Sequence, residues 1–155
     1  MSNQSVRHSM FVIERSYPPS PARGFKAWAT PAAKARWFRG PEGWNEDIRE
    51  MDFRVGGRER LRGVWDGGRS SDFLAHYHDI VAEQRIIYAY EMQVDEQRIS
   101  VSLATVEFRP DGAGTRLVFT EQMACLEGLE EPAGREKGTR ALLERLGVEL
   151  KSGAA

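Results

Sequence analysis

The chain has 155 residues, a formal net charge of −1 and a pI of about 6.3. Its basic residues are scattered among acidic ones, so it lacks the concentrated basic surface that a phosphate backbone requires, and we expect no nucleic-acid partner. No apolar run approaches the roughly 18 residues that span a bilayer, so we expect no membrane partner. The length predicts one domain over residues 1–155, with its core at about 6–151.

Cysteine usage indicates the compartment. The single cysteine, Cys125, cannot form an internal disulfide bond and belongs to no metal-ligand cluster. Nothing visible in the sequence activates its thiol, which we expect to be inert. The N-terminal residues lack the charged, apolar and small-residue order of a signal peptide. Together these features predict a cytoplasmic location.

The N-terminal quarter predicts one strand and two short helices. Apolar residues within Val6–Ser16 indicate the strand. Ser20 suits the N-cap of a first helix and Pro21 its first position. Thr30 and Pro31 repeat that pattern. We expect two helices, because Pro31 would break the interior of a single long one.

The central part of the chain alternates with a period of two. Residues 39–47 form a predicted Gly/Pro loop that contains Trp44. Short breaks between the apolar runs that follow favour hairpins and hence antiparallel pairing. The predicted strands are Arg49–Val55, Arg58–Trp65, Asp72–Val81, Arg85–Val94, Arg98–Arg109 and Thr115–Met123.

The C-terminal segment predicts one long amphipathic helix. Ala141, Leu142, Leu146 and Leu150 recur at helical spacing and form an apolar face that must be buried. A sheet of about seven antiparallel strands needs a cover, and only this helix is long enough. The sequence therefore predicts an α+β, helix-grip fold: a curved sheet around the C-terminal helix, with two short helices closing one end.

This order of elements is similar to that of the START-like, polyketide cyclase-like superfamily. Several segments more narrowly resemble the family named after the C-terminal domain of the activator of heat-shock protein 90 ATPase. These segments are Trp37–Pro41, Asp52–Arg58, Tyr77–Val81 running into Arg85–Tyr88, and Gly114–Leu117. The resemblance covers about Met10 to Leu150 and implies the helix-grip fold. It implies no single chemistry, because the scaffold hosts ligand carriers, cyclases and co-chaperone modules.

The chain departs from that family at one position of the last helix. The family often places a tryptophan after a glycine there, whereas Gly138 is followed here by Thr139. The departure leaves the fold intact but removes an expected aromatic wall from the cavity.

One predicted strand supplies a candidate cavity wall. On Arg85–Val94, alternation places Tyr88, Tyr90 and Met92 on one face. Aromatic rings with a polar tip and a deformable methionine are typical of a ligand pocket. Plain core packing explains the same pattern equally well. Leu142 and Leu146 of the last helix would complete the cavity opposite this strand.

A second strand supplies a candidate polar group. On Arg58–Trp65, Glu59, Leu61 and Trp65 share one face, while three arginines that prefer water occupy the other. Glu59 would then lie inside the cavity or at its rim, where a carboxylate could anchor a ligand or act as an acid or base. More often, such a glutamate lies at a strand end and reaches solvent.

Aromatic side chains and histidines complete the candidates. Trp37, Phe38 and Trp44 flank the Gly/Pro loop and could form a mobile lid or a fixed plug of the core. His76 and His78 face the same way, but no third metal ligand is evident, so we expect surface histidines and no metal or other cofactor.

Three functions compete. The leading hypothesis is a non-enzymatic binder of a small hydrophobic or amphipathic molecule, which requires a cavity above roughly 300 Å³. The second, implied only by the resemblance, is a module that modulates a chaperone ATPase; it ranks lower because we expect no separate docking domain. The third is a cyclase or hydratase using Glu59, Tyr88 or Tyr90 and a pocket histidine, although no catalytic constellation is evident. Exposed edge strands would also permit a homodimer, which no sequence feature specifies.

Overall fold

Ten helices and strands follow one another in the computed structural model, which describes residues 5–130 and 132–152; the predicted domain limits at residues 1 and 155 lie outside them. The elements are β1 Val6–Tyr17, α1 Pro21–Ala29, α2 Pro31–Trp37, β2 Trp44–Met51, β3 Arg58–Trp65, β4 Ser70–Val81, β5 Arg85–Val94, β6 Gln97–Asp111, β7 Gly114–Leu126 and α3 Pro132–Lys151.

The strands form one seven-stranded sheet in the order β1-β7-β6-β5-β4-β3-β2. All neighbouring strands are antiparallel. Short turns join β2 to β7 in succession, whereas α1 and α2 connect β1 at one edge with β2 at the other. Leu143, Leu146 and Leu150 of α3 are buried in the same core cluster as the inward side chains of the sheet. The predicted α+β, helix-grip fold is confirmed.

The two short helices begin where the sequence predicts. Ser20 caps α1 by accepting a hydrogen bond from the backbone nitrogen of Arg23 at 3.3 Å. Thr30 separates the helices, but its side chain makes no capping hydrogen bond. The indole of Trp37 donates a 3.0 Å hydrogen bond to the carbonyl of Ala27, which holds α2 against α1.

Strand β2 corrects the prediction. We expected a loop over 39–47 and a strand over Arg49–Val55, whereas β2 begins at Trp44 and ends at Met51. The physical reason is the indole of Trp44, which donates a 2.9 Å hydrogen bond to the Ser71 hydroxyl. The ring also packs where a Cβ on Gly40 or Gly63 would overlap it. Because of these contacts, the sheet includes the residues from Trp44 onward, and Trp44 is a fixed part of the fold.

The burial pattern assigns the concave face. Ile86, Tyr88 and Tyr90 of β5 are buried, and Glu59 and Leu61 of β3 are buried on the same side of the sheet. The three arginines of β3 lie on the opposite side, as expected.

Other predictions concern the outer surface. His76 and His78 are both exposed on β4. Within the described residues, no group of three or more His, Cys, Asp or Glu side chains could hold a metal ion. Among the same residues, no helix has the length and hydropathy needed to cross a bilayer.

Candidate functional site

A cavity of about 260 Å³ lies between the concave face of the sheet and the first half of α3. Its aromatic lining comes from α1, from the end of α2 with the residue after it, and from three strands. It comprises Trp28, Trp37, Phe38, Phe73, Tyr88 and Phe119, with Tyr90 at one end. Met92, Leu142 and Leu143 supply the aliphatic lining. The volume is slightly below the roughly 300 Å³ at which ligand pockets usually begin. Our expected minimum is therefore not met, and the cavity suits only a small occupant.

Aromatic contacts hold the walls of this cavity in place. The ring centroids of Phe73 and Tyr90 are 4.8 Å apart, and those of Phe38 and Phe73 are 5.0 Å apart. On the other side, Trp28 stacks on Phe119 at 6.5 Å. Rings packed on one another at such distances lose little further freedom when a ligand binds, so the site is largely preformed.

One end of the cavity is polar. Glu121 Oε2 accepts hydrogen bonds from the Tyr90 hydroxyl at 2.8 Å and from the Ser102 hydroxyl at 2.9 Å. Arg135, in the first turn of α3, donates to the Tyr90 oxygen at 2.9 Å and to the Ser100 hydroxyl at 2.8 Å. We call these five residues the polar cluster. Both Arg135 and Glu121 line the cavity, so the cluster faces its interior.

Burial decides the ionisation behaviour of the polar cluster. It raises the pKa of Glu121 above its ordinary value, while Arg135 and the hydrogen bonds oppose that shift. Burial also raises the pKa of Tyr90, which therefore keeps its proton at neutral pH. Burial works to lower the pKa of Arg135, but Tyr90, Glu130 and Glu121 outweigh it and the pKa lies above its usual range. The cluster thus combines a fixed guanidinium charge with a carboxyl group whose ionisation is costly.

Two residues of the lining each carry a polar atom that lacks a partner among the described residues. The indole Nε1 of Trp28, a residue that is 2% exposed, makes no hydrogen bond. Glu121 uses only Oε2 for its hydrogen bonds, and no described residue donates to its Oε1. Phe119 lies between these two residues. Trp28 stacks on its ring, and Glu121 is two residues further along the same face of β7. The indole nitrogen is enclosed by its neighbours, so of the two atoms only Glu121 Oε1 is open to an occupant of the cavity.

The structure brings part of the predicted site together. The predicted residues that line the cavity are Trp37, Phe38, Tyr88, Tyr90, Met92 and Leu142. Whether they bind a ligand stays a prediction. The predicted residues that lie outside the lining are Trp44, Glu59, Leu61, Trp65 and Leu146.

Each residue outside the lining has another role. Glu59 is paired with Lys34 at 2.6 Å and accepts a 2.5 Å hydrogen bond from Tyr77. Leu61 and Leu146 are packed in the hydrophobic core. Trp65, which ends β3, is 36% exposed and faces a separate surface depression.

Sequence reasoning missed the polar cluster apart from Tyr90, and it missed part of the aromatic lining. One signal was available for Glu121, because it follows Leu117 and Phe119 at alternate positions of β7 and interrupts an otherwise apolar face before Met123. No local signal distinguished Arg135 from the other arginines of α3. Its role depends on contacts with strands that lie 14 to 45 residues away in the chain.

Comparisons with known structures agree on the fold. An uncharacterised protein from Rhizobium leguminosarum is 42% identical, with a TM-score of 0.92 over 97% of this chain and 99% of that one. A protein from Rhizobium loti is 47% identical, with a TM-score of 0.87 over 94% of this chain and 99% of the other. An AHSA1-like protein from Aeromonas hydrophila, at 20% identity and a TM-score of 0.70 over 93% of each chain, shares the fold.

Comparisons of sequence identify the family. No curated protein shows significant similarity to the chain. The family model described as Activator of Hsp90 ATPase homolog 1-like protein matches residues 19–151, which include α1 to α3 and the whole cavity. The chain therefore belongs to the family of Activator of Hsp90 ATPase homolog 1-like proteins.

Proposed function

We propose that this protein binds a small amphipathic molecule in the cavity between the sheet and α3, without converting it. The observation that carries the proposal is the polar cluster, which faces a cavity of about 260 Å³ whose remaining lining is mainly aromatic and aliphatic. A concave apolar site with a few convergent polar groups is the usual form of a small-molecule site.

Energetics support a role for the polar cluster beyond folding. Glu121 is 1% exposed and the side chain of Arg135 is 9% exposed. A buried ion pair usually contributes no more to stability than apolar side chains of similar volume would, because both charges lose their hydration. The cluster is therefore a poor device for stability alone, and its position on the cavity wall favours anchoring the polar end of a ligand.

The first test is native mass spectrometry of the purified protein, followed by extraction and identification of any bound small molecule. The matched variants are Gly138→Leu and Ala141→Leu. Gly138 is an exposed residue of the cavity lining and a Cβ there would meet nothing within 4 Å, so a leucine has room to obstruct the cavity from its rim. Ala141, which we expected on the buried face of the helix, is exposed and lies outside the cavity lining, so its variant controls for added apolar volume.

We expect the wild type and Ala141→Leu to retain the bound mass and Gly138→Leu to lose it. Retention by Gly138→Leu would place the ligand elsewhere. A wild-type protein that carries no ligand and has no measurable affinity for any small aromatic compound would contradict the proposed function.

A second candidate is modulation of a chaperone ATPase, which the description of the family supports. It predicts that adding the protein changes the ATPase rate of the chaperone in a reconstituted assay. An unchanged rate at saturating protein would reject it.

Pairing through β1 or β2, the two edges of the sheet, could also form a homodimer. Light scattering over a concentration series would test it, and a monomer at every concentration would exclude it.

Of the residues proposed for an enzyme, only Tyr88 and Tyr90 line the cavity. His76 and His78 are exposed on β4 and lie outside the cavity lining. Glu59 is occupied by Lys34 and Tyr77. Because the cavity thus holds the two tyrosines without the proposed glutamate and histidines, we propose no reaction. Cys125 is buried and free, and burial raises the pKa of its thiol, which accords with the proposed reducing, cytoplasmic setting.

A further inference from the structure

The cavity lining carries an acceptor and a cation at different depths. Glu121 is buried, whereas Arg39, two residues after the end of α2, is exposed and therefore lies where the cavity opens to solvent. Building on the proposed function, we infer that the ligand is a small aromatic carboxylic acid with a hydroxyl group. The hydroxyl donates a hydrogen bond to Glu121 Oε1, and the carboxylate pairs with Arg39 at the opening.

Glu121 Oε1 is the inner contact. The side chain is 1% exposed, and no described residue donates to this oxygen. Oε1 keeps accessible surface, unlike the enclosed indole nitrogen of Trp28, so an occupant of the cavity can reach it. Tyr90, Ser102 and Arg135 all donate to Oε2 and thereby fix the orientation of the carboxyl group. A buried polar atom without a partner is costly, and a hydroxyl group on the ligand would satisfy it.

Arg39 is the outer contact. Its Nε donates a 3.3 Å hydrogen bond to the carbonyl of Arg36, and no described residue pairs with its two terminal nitrogens. No carboxylate of the described residues forms an ion pair with it either. A guanidinium with free terminal nitrogens matches the geometry of a carboxylate, which it can bind through two parallel hydrogen bonds.

A second arginine adds positive charge beside this opening. Arg145 donates to the carbonyl of Trp37 at 3.1 Å and to that of Arg39 at 2.5 Å. Burial lowers the pKa of Arg145, and the neighbouring charge of Arg39 lowers it further, so the two guanidiniums repel each other. Arg145 also has no carboxylate partner among the described residues. An anion at the opening would relieve this repulsion.

The remaining charges of the lining disfavour a cationic ligand. Glu130 lies 3.2 Å from Arg135, which also lies 3.4 Å from Glu121, so one arginine serves both glutamates. An ammonium group at Glu121 Oε1 would have to lose its hydration among aromatic rings, which costs far more than the burial of a hydroxyl group. An ammonium group at the opening would be repelled by Arg39. The arrangement therefore favours a hydroxyl inside and an anion outside.

Volume and shape indicate a single ring. An engineered apolar cavity of about 150 Å³ holds one benzene molecule. On that scale, the 260 Å³ of this cavity accommodates about ten non-hydrogen atoms. Trp28, Phe73 and Phe119 present aromatic rings on which a further ring can pack. A phenol fits inside, and a short side chain carries the carboxylate to the opening.

The experiment is an NMR titration of the full chain that measures Kd for four matched compounds. 4-Hydroxyphenylacetate carries both groups, and 4-methylphenylacetate has a methyl group in place of the hydroxyl. 4-Hydroxyphenylacetamide has a neutral amide in place of the carboxylate, and tyramine carries an ammonium group instead. We expect 4-hydroxyphenylacetate to bind most tightly. The hydroxyl should improve affinity about tenfold, and the carboxylate about two- to fivefold, because Arg39 is exposed.

Arg39→Gln isolates the outer contact. The variant should lose the preference for 4-hydroxyphenylacetate over its amide and keep the advantage of the hydroxyl. Arg58→Gln is the matched control, because Arg58 is exposed on β3, has no ion pair among the described residues and lies outside the cavity lining. It should keep the preference. Added salt should weaken binding of 4-hydroxyphenylacetate to the wild type but not binding of the amide.

The outcomes distinguish this inference from the proposed function. If none of the four compounds binds, the proposed function fails and the inference fails with it. If 4-hydroxyphenylacetate and its amide bind equally, the cavity binds ligands but the carboxylate contact is wrong. Equal binding of 4-methylphenylacetate would overturn the contact with Glu121. Tighter binding of tyramine would overturn the preference for an acid, and an unchanged preference in Arg39→Gln would overturn the assignment to Arg39.

Discussion

Lys34 Nζ lies 2.6 Å from Glu59 Oε1, and both side chains are almost completely buried, at 2% and 3% exposure. Burial lowers the pKa of Lys34 from its ordinary value, and the neighbouring carboxylate of Glu59 opposes that shift. Tyr77 donates a further hydrogen bond to the same carboxylate oxygen. The pair joins α2 to β3 outside the cavity lining, where it is a structural element of the core.

Breaking this ion pair should be strongly destabilising. Lys34→Met would leave the charge of Glu59 buried without its cation, and we expect a loss of about 3–5 kcal/mol in the free energy of unfolding. Lys34→Met combined with Glu59→Gln should recover much of that loss, because no buried charge remains. Urea denaturation measures both variants. A double variant no more stable than the single one would show that the pair contributes more than charge compensation.

Gly138 and Gly147 of α3 offer a matched comparison of stability. Gly138→Ala should raise the unfolding free energy by about 1 kcal/mol, because alanine is the better helix former and its Cβ meets nothing within 4 Å. At Gly147 the added Cβ would lie 3.3 Å from Tyr17 Cε1, so Gly147→Ala should gain less or nothing. Thermal melting compares the two. Equal gains would mean that Tyr17 moves without cost.

The contact between Gly63 and Trp44 should be sensitive to a single methyl group. A Cβ at residue 63 would overlap the indole ring, and we expect Gly63→Ala to destabilise the protein by about 1–3 kcal/mol. The same change made in a Trp44→Ala background should cost much less, because the ring is absent. A double-mutant cycle from denaturation curves isolates this coupling. Additive effects would contradict the proposed reason for the start of β2.

Arg36 and Glu149 predict a pH-dependent contribution to stability. Arg36 donates to Glu149 Oε1 at 2.8 Å and to Oε2 at 2.6 Å, and this hydrogen bonding lowers the pKa of Glu149 while burial opposes it. A carboxyl group whose pKa is lower in the folded state stabilises the protein above its ordinary pKa, and the contribution disappears as the pH falls through the folded-state pKa.

Glu149→Gln should therefore be less stable than the wild type at pH 7, and the difference should shrink as the pH falls below about 5. Denaturation at a series of pH values measures this, with Glu42→Gln at an exposed position as the control. A difference between wild type and Glu149→Gln that does not change with pH would exclude a contribution from ionisation of Glu149.

Several elements could be predicted because their signals are local. Ser20 caps α1, and Pro21 and Pro31 suit the first positions of the two helices through their fixed φ. These signals depend on a few neighbouring residues. Strand β3 and strand β5 have the predicted bounds, since charged or turn residues surround each alternating run. The start of strand β2 could not be predicted, because it depends on Gly63 and Ser71 on other strands.

Part of the cavity wall could also be predicted from the sequence, because its signal is local. Alternation placed Tyr88, Tyr90 and Met92 on one face of β5, and all three line the cavity. Alternation also placed Glu59 on the inner face, where it is buried. It could not show that Lys34, on a helix 25 residues earlier in the chain, neutralises that carboxylate.

The sequence by itself determined the helices, most of the strands and the inward faces, because periodicity, capping and turn chemistry act between residues close in the chain. Tertiary structure alone decided which buried glutamate faces the cavity. Glu59 is paired with Lys34 of α2, whereas Glu121 meets Arg135 of α3 and keeps one oxygen without a protein partner among the described residues. The physical reason is that the effect of a buried charge depends on the charged group beside it. Lys34 and Arg135 lie on separate helices, and only the packed core brings them next to these glutamates.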